Sequence, residues 1–303
     1  MGEHEVILHH YPLSLFAEKI RRILAYKRIR WRSVEQPMMM PKPELTPLTG
    51  GYRKIPVLQI GADVYCDTAC IARRLEALRP EPACLPRDVA GAAALVEEWA
   101  DHRFTSQVVP SVIVEMMPGL PPGILDDRAA MSPMLSHDAL TAMAPHTMSQ
   151  ALLSFDLLER MLRGRPFLLG DAFSLADAAC YHPLWFLRKS ERFDAALATR
   201  PALAAWVERI DALGPGDFRP MSAREALAIA REAEPVDVGG HVGDTASGFT
   251  PGAPITIVPD DIGREEVHGT IARVTADEIT IRRHEPALGE IAVHFPRSGY
   301  RLA

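Results

Sequence analysis

Ser14 offers a hydroxyl where a strand hands over to a helix. The apolar run Val6, Ile7, Leu8 precedes it, and Phe16, Ile20, Ile23 and Leu24 recur at helical spacing after it. Such a position lies beside free backbone N–H groups and the positive end of a helix dipole, which favour an anion. A serine there can cap the helix. It can equally donate to a thiolate, which is a good nucleophile once stabilised. No general base is visible near Ser14, so its chemistry would be that of a donor and not of a nucleophile. Glu18 stands one position too late for an ideal capping box. Both readings stay open on Ser14 alone.

Two further groups could serve a peptide-like ligand. In "RKIPVLQI", Pro56 opens a strand and cannot donate to its ladder. A cis Ile55–Pro56 bond would turn the Ile55 backbone outward to pair with a peptide lying across the sheet edge. In "DTACIARRLE", Asp67 and Thr68 open a helix as caps, or hold an amino-acid end, with Asp67 meeting an ammonium and Thr68 a carboxylate. Ser174 and Asp177 in "FSLADAACY" read as a structural helix start. Of His9 and His10 at most one can face a ligand, because neighbours on a strand point to opposite sides. Arg103 is a candidate anion contact on a long helix, whereas Trp99, Phe104, Tyr181, Trp185 and Phe186 read mainly as core. His268, His284 and His294 are too scattered for a metal site. Cys66, Cys70, Cys84 and Cys180 show no CxxC spacing, so no disulfide framework, zinc or other metal centre is expected.

The elements that must position these groups follow from periodicity. A strand over 5–10, a helix over 15–27 and a strand over 29–34 make a β-α-β unit, with parallel strands if the crossover is right-handed. A loop rich in Pro and Met, 36–53, leads to a hairpin turning at 61–63 and a helix over 67–80. The three methionines at 38–40 could cover an apolar substrate or simply pack. Helices follow over 89–117, kinked at Pro110, over 132–163 with interruptions at Pro133 and Pro145, and over 174–189, 201–213 and 222–233. Residues 235–253 read as a linker. Five short strands between 254 and 303 could close a small SH3-like β-barrel. The expected organisation is an α/β domain over 1–82, an all-helical domain over 88–234 and a barrel of unknown role over 250–303.

With 303 residues and 48% apolar content the chain is a folded globular protein. Its net charge of −6 argues against a general nucleic-acid binder. "MGEHEVILHH" lacks the basic start and apolar run of a signal peptide, and no apolar run approaches the roughly 20 residues of a membrane span. A cytoplasmic protein without membrane attachment is expected.

Taken together, "SLFAEKIR" 14–21, "KIPVL" 54–58, "DTACIARRLE" 67–76 and "FSLADAACY" 173–181 resemble, in order and spacing, the motifs of the glutathione S-transferase family. The resemblance covers about 6–213 and leaves the C-terminal β segment outside it. It implies a thioredoxin-like first domain, a helical second domain, and glutathione as co-substrate for attack on a small apolar electrophile. Ser14 would face the sulfur, Ile55 beside cis-Pro56 would pair with the cysteinyl backbone, Asp67 and Thr68 would grip the γ-glutamyl end, and Lys54 would meet the glycyl carboxylate. Relatives commonly form homodimers, an interface the extra β segment could block. Leu15 stands where many relatives have proline, Asp67 replaces a commoner glutamate, and Thr68 replaces serine. Glutathione-dependent isomerisation, ether cleavage and a non-catalytic binding or protein-interaction module remain alternatives.

Overall fold

The computed structural model describes residues 5–236 and 248–303. The stretch 237–247 of the expected linker lies outside the described residues. The chain falls into two compact units: one comprises the N-terminal stretch to Ala17, Arg30–Arg74 and the chain from Phe218 onward, and the other comprises Glu18–Ile29 and Leu75–Asp217.

The first unit is built on one ten-stranded sheet. β1 (Ile7–His10) pairs in parallel with β2 (Trp31–Glu35) and antiparallel with β3 (Val57–Ile60), which pairs antiparallel with β4 (Asp63–Cys66). All four residues of β1, β3 and β4 are buried, as central strands require. Neither edge of this four-stranded core is left open. β5 (Phe218–Pro220) pairs in parallel with β2, and Phe218 stacks on Trp31 at 4.8 Å. The sequence reading contains no strand at β5, because three exposed residues carry no periodic signal.

The C-terminal strands are β6 (Pro254–Pro259), β7 (Val267–Val274), β8 (Glu278–Glu285), β9 (Gly289–Pro296) and β10 (Tyr300–Leu302). They do not close into the expected SH3-like barrel. Their order is β10-β6-β7-β8-β9, and β9 continues into β4 through the parallel register Asp63–Ala292, Val64–Val293, Tyr65–His294. The edge that closure would have used is satisfied by β4 instead. One core joins both parts: Leu45, Leu48, Tyr52, Val57 and Val64 cluster with Ile257, Val267, Ile281, Val293 and Phe295. Gly269 permits the close β7–β8 approach, since a Cβ there would lie 2.8 Å from the Arg282 carbonyl oxygen. α11 (Ala223–Glu232) starts at a Ser222–Glu225 capping box and buries Ala226 and Ala230, with Ala226 joining Ile7 and Val34 in a small core.

α1 (Leu15–Tyr26) buries Ala17, Ile20, Ile23 and Leu24. Short α2 (Thr46–Thr49) lies in the Pro-rich loop, and α3 (Thr68–Leu78) follows β4.

The second unit is helical. α4 (Ala90–Glu98) runs through a π-helical turn, Trp99–Phe104, into α5 (Thr105–Met116). α6 spans Ile124–Met131 and α7 spans His137–Leu162. α7 continues through Pro145, so the expected interruption at that residue is absent. Ser111 of α5 donates at 2.9 Å to the carbonyl of Ala144, the residue before that proline. α8 (Leu175–Leu187), α9 (Phe193–Leu197) and α10 (Pro201–Asp211) complete the unit. Buried Lys19 is held by Glu97 and Asp101, each at 2.6 Å. Burial alone would lower its pKa, but the two carboxylates outweigh burial and raise it.

Candidate functional site

Strand register brings the three chemical groups to one end of the sheet. His9 is opposite Val57, and Val57 is opposite Cys66. The carboxyl end of β1, the start of β3 and the end of β4 therefore lie side by side, within about 10 Å across three strands. The Ser14 turn follows β1, Ile55–Pro56 precedes β3, and Asp67–Thr68 follows β4. Three sequence segments spanning 54 positions thus converge on an area the size of a short peptide (14 to 67). Open α/β sheets bind ligands at the carboxyl ends of their parallel strands, and β1 is one of these.

Ser14 is 3% exposed, and its Oγ accepts the Ala17 N–H at 3.2 Å. The capping geometry is therefore present. A serine hydroxyl has acceptor lone pairs and one O–H donor. Ile55–Pro56 is cis. Among the described residues, no hydrogen bond uses the Ile55 backbone N–H or C=O, although Ile55 is only half-buried. An extended peptide can pair with such an edge.

Asp67 adopts φ of 75°, a left-handed conformation uncommon outside glycine but tolerated by Asp and Asn. Its Oδ1 accepts the Ala69 N–H at 2.9 Å, which caps α3, and its backbone carbonyl accepts the Ile71 N–H at 3.0 Å. Oδ2 is addressed from far along the chain: the Tyr300 hydroxyl donates to it at 3.1 Å. Tyr300 Oη also lies 3.3 Å from Tyr52 Oη. Both phenols are held well above their ordinary pKa, by burial first and by the Asp67 charge second, so both stay protonated donors. Thr68 is buried at the start of α3.

Lys54 meets Asp261 in an ion pair, and the adjacent Arg53 meets Glu265 at 3.2 Å. Sequence reasoning missed Asp261, Glu265 and Tyr300. The acidic run "DDIGREE" 260–266 and the aromatic opening of "YRLA" were visible, but nothing local ties either to residues some 200 positions earlier.

The histidines among the remaining candidates have partners within the protein. His9 Nε2 bonds Gln59 Oε1 at 2.8 Å, and Gln36 donates to Nδ1 at 3.1 Å. Burial lowers its pKa to about 4, partly opposed by the Gln59 bond, so it stays neutral. His10 bonds Ser33 at 2.8 Å. His294 is bracketed by Asp63 at 2.9 Å and Glu278 at 3.2 Å. All four cysteines are buried, with thiol pKa values pushed up chiefly by burial. Among the described residues no group of three or more His, Cys, Asp or Glu is arranged to hold a metal. No helix of the described residues is long and apolar enough to cross a membrane. Arg103 is exposed, Phe104, Tyr181 and Phe186 are buried, and Trp99 and Trp185 are half-buried.

The family "Glutathione S-transferase, N-terminal domain" matches residues 8–83, and "Glutathione S-transferase, C-terminal domain" matches 145–209. A GST-like protein from Pseudomonas syringae, known by its crystal structure, is 36% identical over 99% of both chains, with a TM-score of 0.78. The chain belongs to the glutathione S-transferase family. As a family member it carries the thioredoxin-like first domain and the helical second domain, and the full-length match includes the C-terminal strands. This transferase-family chain is also 26% identical to "FtsZ-localized protein A" of Caulobacter vibrioides over 58% of its length and 74% of that protein. It is 27% identical to "Probable maleylacetoacetate isomerase 1" of Drosophila melanogaster over 65% of its length and 74% of that protein.

Proposed function

We propose that the chain binds glutathione at this end of the sheet and activates its thiol for attack on a small apolar electrophile. The observation that carries the reading is the unused Ile55 backbone edge, set between a serine-bearing helix start and a carboxylate held at positive φ. Ile55 N–H and C=O would pair with the cysteinyl backbone beside Pro56. Asp67 would take the γ-glutamyl ammonium, and Thr68 with the first N–H groups of α3 would take its carboxylate. Lys54 would reach the glycyl end. The Ser14 O–H would donate to the sulfur, lowering the thiol pKa from its free value of about 8.5. The thiol proton then leaves to solvent, the sulfur–carbon bond forms, and any leaving group departs with its electron pair. Proximity to a bound electrophile supplies the rest. The reading is of a cytoplasmic enzyme, active alone or as a homodimer.

A second reading rests on the occupied state of Lys54 and Asp67, which the C-terminal strands already engage. It is a glutathione-binding or protein-interaction module without turnover. Glutathione-dependent isomerisation or ether cleavage would use the same activated sulfur. Ser14→Ala separates these cases. With an activated nitrochloroarene, we expect kcat/KM to fall about 10- to 100-fold, the worth of a hydrogen bond to a charged atom. Its rate–pH profile should move to higher pH, while stability falls by only about 1 kcal/mol for the lost cap. Unchanged kinetics remove Ser14 from the chemistry. A thiolate absorbance on glutathione binding without turnover of any electrophile favours the module.

A further inference from the structure

We propose that Asp261 is a resident carboxylate of the tripeptide site, competing with the ligand's glycyl carboxylate for Lys54, so that the site selects γ-glutamyl thiols with little regard to that carboxylate. The inference rests on the glutathione reading above and sharpens its substrate class. Lys54 immediately precedes the free Ile55 edge, and its ammonium is paired with Asp261.

The pairing is built into the fold. Asp261 sits just beyond β6, in a loop tied down by Asp260 N–H to the Gly299 carbonyl at 3.0 Å and by Arg264 to the Asp260 and Asp261 carbonyls at 3.2 and 3.3 Å. Arg53–Glu265 fastens the same loop one residue from Lys54. At the other end of the site, Tyr300 from β10 holds the Asp67 carboxylate. The two ends differ in kind. Tyr300 is a neutral donor and adds no charge of its own beside Asp67. Asp261 neutralises the cation on which a ligand carboxylate would depend. The glycyl end has therefore given its cation to a carboxylate of the chain itself. Asp261 is exposed and the pair is partly solvated, so it weakens a carboxylate ligand without excluding it.

The test is calorimetric titration of the full chain at low ionic strength with glutathione, its glycyl methyl ester and γ-glutamylcysteine. Wild type should bind all three within about threefold, because Lys54 is already paired with Asp261. Asp261→Asn should tighten glutathione by roughly two- to fivefold and leave the ester and γ-glutamylcysteine unchanged. In a Lys54→Met background the Asp261→Asn gain should vanish. Wild type preferring glutathione to its ester by tenfold or more would overturn the inference, by roughly the measure of an intact charge contact. So would an Asp261→Asn change that weakens glutathione or tightens all three ligands equally, since either means that Asp261 only fastens the loop. If no variant binds any of the three, the glutathione reading itself falls, a result distinct from binding without discrimination.

Discussion

Asp177 shows how one side chain can serve as a hub. It is fully buried at the start of α8, where it accepts the Leu168 N–H at 2.9 Å, the Trp206 indole N–H at 2.8 Å and the Ser174 N–H at 2.8 Å. Burial pushes its carboxyl pKa up, and these donors oppose that rise. The sequence marks Asp177 as a capping partner of Ser174, and the structure adds Leu168 and Trp206, which no spacing rule reaches. Asp177→Ala strands three buried N–H donors and the Ser174 hydroxyl. We expect a loss of about 3 kcal/mol or more in urea unfolding, well beyond the roughly 1 kcal/mol of an ordinary cap. A loss near 1 kcal/mol would mean that water or neighbouring groups replace the carboxylate. Ser14 illustrates the opposite limit: its cap was foreseeable from type and position, but its service to a sulfur depends on neighbours contributed by β3 and β4.

At the scale of elements, the seam between β4 and β9 is the feature that governs the first unit. His294 on β9 bridges Asp63 on β4 and Glu278 on β8, and its ring stacks on Tyr65 at 4.2 Å. On the α3 side, Cys70 donates to Glu278, and Arg74 lies over the Tyr65 ring. Burial alone would lower the His294 pKa, but hydrogen bonds to Asp63 and Glu278 outweigh it and raise the value above 6.5. The His294 contribution to stability is therefore complete below its unfolded pKa and fades as pH rises through the folded one. Glu278 is shifted the other way: burial would raise its pKa, but the His294 bond and charge win and lower it below 4.5. Its contribution is present above that ordinary value and is lost as pH falls through the depressed one. The seam should be firmest in mildly acidic to neutral solution. Wild type should exceed His294→Asn in urea midpoint by a larger margin at about pH 6 than at about pH 9. An equal margin at both would show that the ring acts by packing alone.

For the whole molecule, the decisive fact is that the C-terminal strands share a sheet and a core with β1–β4. A self-contained barrel could be cut away without harm. Removing 248–303 here would bare the β4 edge and expose Tyr52, Val57 and Val64. An exposed strand edge beside an apolar face is an aggregation site. We expect the shortened chain to aggregate more readily, or to bind a hydrophobic dye more strongly, than the full chain. A soluble, cooperatively unfolding product would show that the N-terminal strands suffice on their own.

The sequence by itself determined the local elements: the strand before Ser14, the hairpin around Gly61, the helix opening at Asp67–Thr68 and the cap at Ser174. It also supplied the family resemblance through four short motifs in order. These rest on periodicity, capping and turn chemistry, which act over a few residues and so leave their mark in the order of side chains. Only the tertiary structure decided that β9 joins β4, that α11 packs against β1 and β2, and that Asp261 and Tyr300 reach Lys54 and Asp67. A strand's hydrogen-bonding edge is the same whatever its side chains, and an ion pair needs only opposite charges brought close. Which edge is filled and which charges meet depend on how the chain folds back on itself, and no spacing along the sequence records that.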